Sequence, residues 1–139
     1  FTSGEIAERV DALIEEMGLD IYRDMRPVDL HQSEQLKTAY ARAVALDPSL
    51  LLCEHPLDSQ CVLNISAVLA ALRRWAESDV KSVIVVTFMP RIFTEIGDRF
   101  IMLYHGEVVF DGDRDEFRGS ENPYLRQYLS YSTEGPMAI

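Results

Sequence analysis

The chain has 139 residues, which is room for about one domain. Apolar residues make up 47% of it, enough for a buried core, so an intrinsically disordered chain is excluded. The formal net charge of −10 argues against a nucleic-acid partner, which would require a basic face, and gives no attraction to anionic lipid.

No apolar run approaches the roughly 20 residues that span a bilayer, so we expect no direct membrane insertion. The start of the chain is not expected to be a secretory signal, because an acid stands at Glu5. The two cysteines, Cys53 and Cys61, are expected to be reduced thiols of a cytoplasmic protein. Phe1 stands where a complete chain has Met, as in a fragment or a processed protein.

The N-terminal third predicts two helices. Thr2 and Glu5 form a capping box, apolar residues follow at helical spacing, and Gly18 is a good stop. Residues 19–30 are predicted to be a connector. An alanine-rich amphipathic pattern then predicts a helix over residues 35–46, preceded by a polar helix start.

Two uninterrupted apolar runs predict buried strands, at residues 50–53 and 82–87. A third helix with its apolar face at residues 65–75 lies between them and ends near residues 78–79. The strands are therefore expected to be parallel neighbours, covered on both faces by helices. Pro90 is predicted to begin another helix, ending near Gly97.

The pattern then changes to a hairpin and two short helices. Residues 100–104 and 107–110 flank His105-Gly106, a pair typical of a tight turn. Asp113 is predicted to cap one helix and Asn122 to begin the last one, which runs through residue 129.

This order of elements resembles the C-terminal half of the ATP-binding subunit of an ABC transporter. The resemblance is carried by residues 27–56, 96–109 and 121–129, which mirror family motifs in order and spacing. Residues 121–129, followed by 133–136, look most like subunits of bacterial phospholipid (Mla-type) transporters.

The resemblance implies an α/β fold, the C-terminal part of a P-loop NTPase domain of the ABC type. It would have a mainly parallel sheet, a helical subdomain and a terminal antiparallel hairpin. We expect one domain fragment over residues 1–139, with the helical subdomain and signature helix at 3–46 and the Walker B to C-terminal part at 47–139.

The family's phosphate-binding positions carry different residues here. At the signature motif, Leu30 matches, and the Ser-Gly-Gly-Gln that follows it is replaced by His31, Gln32, Ser33 and Glu34. Side chains now stand where close approach to a phosphate needs glycine, and Glu34 adds a negative charge. A capped helix without nucleotide contacts is the expected outcome.

The Walker B and switch positions differ as well. Glu54 stands at the metal-facing Asp position and His55 at the catalytic Glu position. Glu54 could hold a magnesium-bound water and His55 could act as a general base, or both are a polar strand end that remains after catalysis was lost. Phe88 stands at the switch-His position and is expected to be packed, because it has no hydrogen-bond donor. Cys61 stands where the family has an Asp.

No phosphate loop of the form GxxxxGK[ST] occurs, since the seven glycines are scattered. The chain is therefore expected to bind no cofactor by itself, and ATP and Mg²⁺ only together with a missing N-terminal half. No metal site is expected, because the three histidines lie on separate elements without ligand spacing.

The sequence favours a degenerate ABC subunit, or its C-terminal half, acting as a structural or regulatory partner in ATP-driven, lipid-type transport. Two alternatives stay open: a working ATPase whose P-loop lies in an absent N-terminal half, and a protein-interaction domain unrelated to transport. The resemblance implies a membrane permease and a second ABC subunit as partners, and a cytoplasmic location at the membrane's inner face. Apolar strands without the rest of such a domain predict self-association or pairing.

Overall fold

The computed structural model describes residues 1–57, 62–77 and 81–138. Its helices are α1 (Ser3–Met17), α2 (Gln32–Val44), α3 (Val62–Ala76), α4 (Arg114–Arg118) and α5 (Pro123–Ser130). Its strands are β1 (Leu50–Glu54), β2 (Ser82–Val86), β3 (Arg99–Tyr104) and β4 (Glu107–Asp113). The predicted mixed α/β class is confirmed.

The chain forms two compact units, Phe1–Phe88 and Met89–Ile139, called unit 1 and unit 2 below. Each unit holds a two-stranded sheet, parallel in unit 1 and antiparallel in unit 2. The expected mainly parallel sheet is thus a single parallel pair among the described residues. The division at residues 46 and 47 stays a prediction.

Helix α1 begins and ends where the sequence predicts. The Thr2 hydroxyl accepts a hydrogen bond from the Glu5 N–H, and the Glu5 carboxylate accepts one from the Thr2 N–H, at 2.6 Å. At the other end Gly18 takes a left-handed conformation, which costs a residue without a Cβ little. Two short 3₁₀ turns, at Asp20–Tyr22 and Pro27–Asp29, lie in the predicted connector.

Helix α2 is displaced from its predicted range of 35–46. It begins three residues earlier, at Gln32: Leu30 and His31 have extended backbone, and the helix starts directly after them. It ends at Val44, where the Arg9 guanidinium donates hydrogen bonds to the carbonyls of Val44 (3.0 Å) and Ala45 (3.3 Å). A basic side chain on the last carbonyls is a favourable helix end. Leu46 is left 78% exposed.

Strands β1 and β2 are parallel neighbours, as predicted, with Leu50 opposite Ser82 and Glu54 opposite Val86. The predicted burial of both faces is wrong within this chain. Residues alternate along each strand, so that one face, containing Leu51, packs on the core and the other is exposed. The exposed apolar side chains of that face are Leu50, Leu52, Ile84 and Val86, at 46%, 68%, 52% and 56% exposure.

The core of unit 1 joins its helices to the buried face of β1. The buried apolar residues in the described part of the unit are Leu13, Met17, Leu19, Leu30, Val44, Leu51, Leu57, Ala71 and Leu72. Met17 and Leu19 pack with Ala71, and Tyr40 lies against this group. The end of α3 predicted near residues 78–79 lies outside the described residues.

The Tyr40 phenol predicts a pH dependence of stability. Its hydroxyl donates to the Ala71 carbonyl at 3.0 Å, and burial raises the pKa of Tyr40 to about 12. The folded chain keeps this proton at a pH where the unfolded chain, with an ordinary tyrosine pKa near 10, releases it. The free energy of unfolding should therefore fall as pH rises from about 10 to about 12.

Urea unfolding at a series of alkaline pH values measures this slope. In Tyr40→Phe the Tyr40 part of the slope should disappear, whereas Tyr131→Phe, which removes the hydroxyl of a residue 85% exposed, should keep it. An unchanged slope in Tyr40→Phe would show that the phenol is not the group responsible.

Unit 2 begins with less helix than predicted. Pro90 opens a single 3₁₀ turn, Pro90–Phe93, and the N–H groups of Ile96 and Gly97 both donate to the Phe93 carbonyl, at 3.1 and 2.7 Å, in the turn that follows. Phe93 does point inward and is 5% exposed.

The hairpin is confirmed. Strands β3 and β4 pair antiparallel around His105 and Gly106, whose φ angles of 50° and 82° are those of a type I′ turn. The register shifts after Met102, so that Val109 forms a bulge in β4.

Both predicted caps of the last helices are present. The Asp113 carboxylate accepts from the N–H groups of Asp115 and Glu116 at the start of α4. The Asn122 side chain accepts from the first N–H groups of α5 and donates to the Val109 carbonyl at 2.7 Å. Under the hairpin, Phe100, Phe117 and Leu125 form the buried core, with Met102, Phe110 and Leu129 packed against it.

Candidate functional site

The carboxyl ends of β1 and β2 bring three of the predicted site residues to one edge of the parallel pair. Glu54 is the last residue of β1 and lies opposite Val86, the last residue of β2. His55 follows Glu54 directly, and Phe88 lies two residues beyond Val86. In open α/β sheets, ligands bind beyond these strand ends.

His55 is held by its backbone and by its ring. Its N–H donates to the Val86 carbonyl at 2.8 Å, and its φ angle of 46° places it in the left-handed region. The imidazole stacks on the Phe88 ring, with 4.4 Å between centroids and 27° between planes. Its Nδ1 is shielded from solvent and has no hydrogen-bond partner in the part of the chain that the structure describes.

The expectation that Phe88 is packed is wrong in one respect. The side chain is 70% exposed, and the described contact of its ring is the stack on His55. Thus His55 and Phe88, the residues predicted to stand at the catalytic Glu and switch-His positions, touch each other as an aromatic pair. A phenyl ring has no donor for a phosphate, and it occupies one face of the imidazole.

Glu54 presents an exposed carboxylate at this edge. Among the described residues, no three His, Cys, Asp or Glu side chains lie close enough together to hold a metal ion. Mg²⁺ requires near-octahedral oxygen coordination, usually from one or two carboxylates together with phosphate and water. Glu54 supplies one carboxylate here, so a magnesium ion at this edge would take its remaining ligands from phosphate and water.

The start of α2 forms a second, separate candidate surface, with His31, Gln32 and Ser33 on consecutive positions. A helix begins here, as predicted, but the expected side-chain cap is absent: His31 occupies the N-cap position without a capping hydrogen bond. The Gln35 amide instead donates to the Leu30 carbonyl at 3.0 Å.

The charge at this helix start opposes an anion. A hydrogen bond from the Ser33 hydroxyl lowers the pKa of Glu34 and outweighs the opposing effect of burial, and its own backbone N–H and the electrostatic effect of Lys37 add smaller lowering effects. The carboxylate is therefore ionised in the first turn of α2. A negative charge there suits the helix dipole and repels a phosphate.

A cavity between α2, β1 and α3 was not predicted. It has a volume of about 420 Å³ and is lined mainly by apolar side chains, among them Ala39, Leu51 and Ala71. The sequence signal that could have indicated it is the run of alanines on the facing sides of α2 and α3. Cys53 also lines it as a half-buried free thiol, and burial raises its pKa. Cys61, predicted at the family's Asp position, lies outside the described residues.

No helix in the described ranges is long and apolar enough to cross a bilayer.

No protein-family model matches the chain. Several curated proteins, however, are similar to it in sequence. The chain is 30% identical to the methionine import ATP-binding protein of Campylobacter jejuni over 131 residues, 92% of this chain and 38% of the relative. It is 32% identical to that of Bordetella pertussis over 138 residues, 96% of this chain and 37% of the relative. It is 29% identical to the molybdate/tungstate import ATP-binding protein of Pyrococcus horikoshii over 128 residues, 91% of this chain and 37% of the relative.

The homologues are ATP-binding subunits of ABC importers. The predicted resemblance to ABC ATP-binding subunits is confirmed at that level. The chain spans less than two fifths of the length of these relatives. The narrower likeness to phospholipid transporters is not shown, because the relatives named here are importers of methionine and of molybdate or tungstate.

Proposed function

We propose that this chain is part of an ATP-binding subunit of an ABC importer and that it serves the transporter as a structural or regulatory element. The observation that carries the proposal is the ring stack of His55 on Phe88. It places two aromatic rings in contact at positions where the resemblance calls for a carboxylate and a phosphate-binding imidazole. The supporting frame of strands and caps is present, and the groups that would handle a triphosphate are of other chemistry.

The ionised Glu34 at the start of α2 supports the same proposal independently. A subunit that presents this helix start to the nucleotide of a partner would oppose the phosphate charge rather than stabilise it. We therefore assign hydrolysis to a second, paired subunit and substrate movement to a membrane permease, with this chain at the cytoplasmic face. ATP and Mg²⁺ would bind only together with residues outside this chain.

We favour an importer over a phospholipid transporter as the system to which this chain belongs. The named relatives are import proteins, and each of them matches more than nine tenths of this chain. The phospholipid alternative rests on residues 121–129 and 133–136 alone.

ATP turnover by the full-length protein tests the assignment. The rate should not change when His55 is replaced by Ala, because the stacked ring takes no part in hydrolysis. His105→Ala is the matched control, since His105 is also a histidine with left-handed backbone, at φ 50° in the hairpin turn. A general base contributes about 10²–10⁴-fold to a rate, so its loss is easily seen.

The competing hypothesis is a working ATPase, and the names of the relatives as ATP-binding proteins favour it. In that case His55→Ala would abolish turnover while His105→Ala would keep it. That pair of results would refute the structural or regulatory role.

A further inference from the structure

A buried glutamine of unit 2 makes two hydrogen bonds to one residue of the C-terminal segment. Gln127, on α5, is 4% exposed. Its Nε2 donates to the Met137 carbonyl at 3.0 Å, and its Oε1 accepts from the Met137 N–H at 2.8 Å. The side-chain amide thus satisfies both backbone groups of Met137, as a neighbouring β-strand would.

The chain between α5 and Met137 folds back toward Gln127 through a turn that hydrogen bonds stabilise. Tyr131 ends α5 in a left-handed conformation, and the Ser132 N–H donates back to the Gln127 carbonyl at 3.1 Å. The Ser132 hydroxyl accepts from the Glu134 N–H at 3.0 Å. Beyond Met137, the Ala138 N–H donates to the Tyr104 hydroxyl of β3 at 2.9 Å. Side chains of two elements therefore hold the segment.

Gly135 is the residue that allows the segment to lie against the glutamine. A Cβ at this position would overlap the Oε1 and Cδ atoms of Gln127. Its φ of 154° is also one that other residues rarely adopt. The Gln127 side chain therefore leaves room only for a glycine at residue 135.

We propose that α5 and β3 form a binding site for a peptide backbone, and that residues 133–138 occupy it as a strap that detaches while unit 2 stays folded. The strap is held mainly by the hydrogen bonds described above, because Thr133, Glu134 and Gly135 are exposed and bury little apolar surface. The core of the unit, around Phe117, does not include strap residues. Detachment exposes a site that accepts a Gly-Pro-Met backbone, a property separate from the proposed transport role.

Hydrogen exchange of single amides in the full chain tests the proposal. The Met137 and Ala138 amides should exchange more slowly than a free peptide but faster than the amides of β3 and β4. In Gly135→Ala their protection should fall by roughly tenfold, the effect of losing about one hydrogen bond of ordinary strength. Protection in β3 and β4 should be kept. Gly119→Ala is the matched control, because its Cβ would meet its nearest atom at an ordinary 3.4 Å.

Two results would overturn the strap. One is exchange of Met137 at the rate of the β3 and β4 amides, which would make the segment part of the folded core. The other is protection that rises with protein concentration, which would place the segment on a second copy. If Gly135→Ala also unfolds β3 and β4, Met137→Pro replaces it, since proline removes the N–H that Gln127 accepts and leaves residue 135 unchanged.

A peptide added in trans tests the site directly. A synthetic peptide of residues 132–138 should shift the Gln127 side-chain amide signals of the Gly135→Ala chain, whose own strap is displaced. The same peptide with Ala in place of its glycine should not. Equal binding of both peptides would show that the glycine contact does not select the ligand.

Discussion

Replacing Phe117 with Ala is expected to lower the free energy of unfolding of unit 2 by about 3–5 kcal/mol. Phe117 is 4% exposed and stacks on Phe100, with 4.3 Å between ring centroids and 21° between planes. Phe110 contacts it edge-on at 6.2 Å. Truncation removes apolar burial and aromatic contacts together, and it leaves a cavity between α4 and the hairpin.

Hydrogen exchange of the β3 and β4 amides measures this change within unit 2. Ile101→Ala is the control, because Ile101 lies on β3 with 56% exposure and its truncation should cost no more than about 0.5 kcal/mol. Equal losses in the two variants would mean that the side of the hairpin bearing Phe100, against which Phe117 of α4 packs, is not the buried one.

Replacing Leu52 with Lys is expected to weaken self-association of the 139-residue chain by roughly 100-fold. Leu52 lies at the centre of the exposed apolar face of β1 and β2 and is 68% exposed. Contiguous apolar surface next to strand edges that are unpaired among the described residues favours association with another chain. A lysine there would have to be desolvated in the interface, which costs several kcal/mol.

Light scattering over a concentration series gives the association constant. Leu103→Lys is the matched control: Leu103 is 67% exposed, nearly the same as Leu52, but lies on the hairpin of unit 2. A wild-type chain that is a monodisperse monomer at all concentrations would contradict the prediction. Equal weakening by both variants would mean that the contact is not specific to the β1–β2 face.

The features predicted best from the sequence are those that neighbouring residues determine. The capping box of Thr2, the left-handed Gly18, the His105-Gly106 turn and the Asn122 cap all lie where predicted. In each case the hydrogen bond or backbone angle involves residues at most a few positions apart. Such signals remain readable even when the surroundings of the segment are unknown.

The predictions that were wrong are those that depend on what packs against a segment. The apolar runs at β1 and β2 correctly predicted strands, but an apolar run cannot tell what will cover it, and one face is exposed here. Pro90 predicted a helix because proline suits a first turn, yet only a 3₁₀ turn of four residues forms there.

The candidate site was predictable in its position and not in its contacts. The spacing of motifs placed His55 and Phe88 at strand ends, and parallel pairing brought them to the same edge. Their stacking is a contact between the ends of two strands that are far apart in the sequence, which no local pattern indicates. The cavity beside Cys53 likewise depends on how α2 and α3 approach each other.

The bulge at Val109 bears on how fast unit 2 can form. It turns the Val109 carbonyl out of the strand ladder, and this carbonyl accepts a hydrogen bond from the Asn122 side-chain amide. The same Asn122 side chain accepts a hydrogen bond from the Tyr124 N–H and so caps the start of α5. Thirteen positions of the chain separate Val109 from Asn122, and seventeen separate Arg114 from the Gly97 carbonyl that its guanidinium contacts. Closing such short loops costs little chain entropy, and low contact order accompanies rapid folding. Hairpin and helix can therefore assemble by local search, whereas the parallel pair of unit 1 must first close the long crossover through α3.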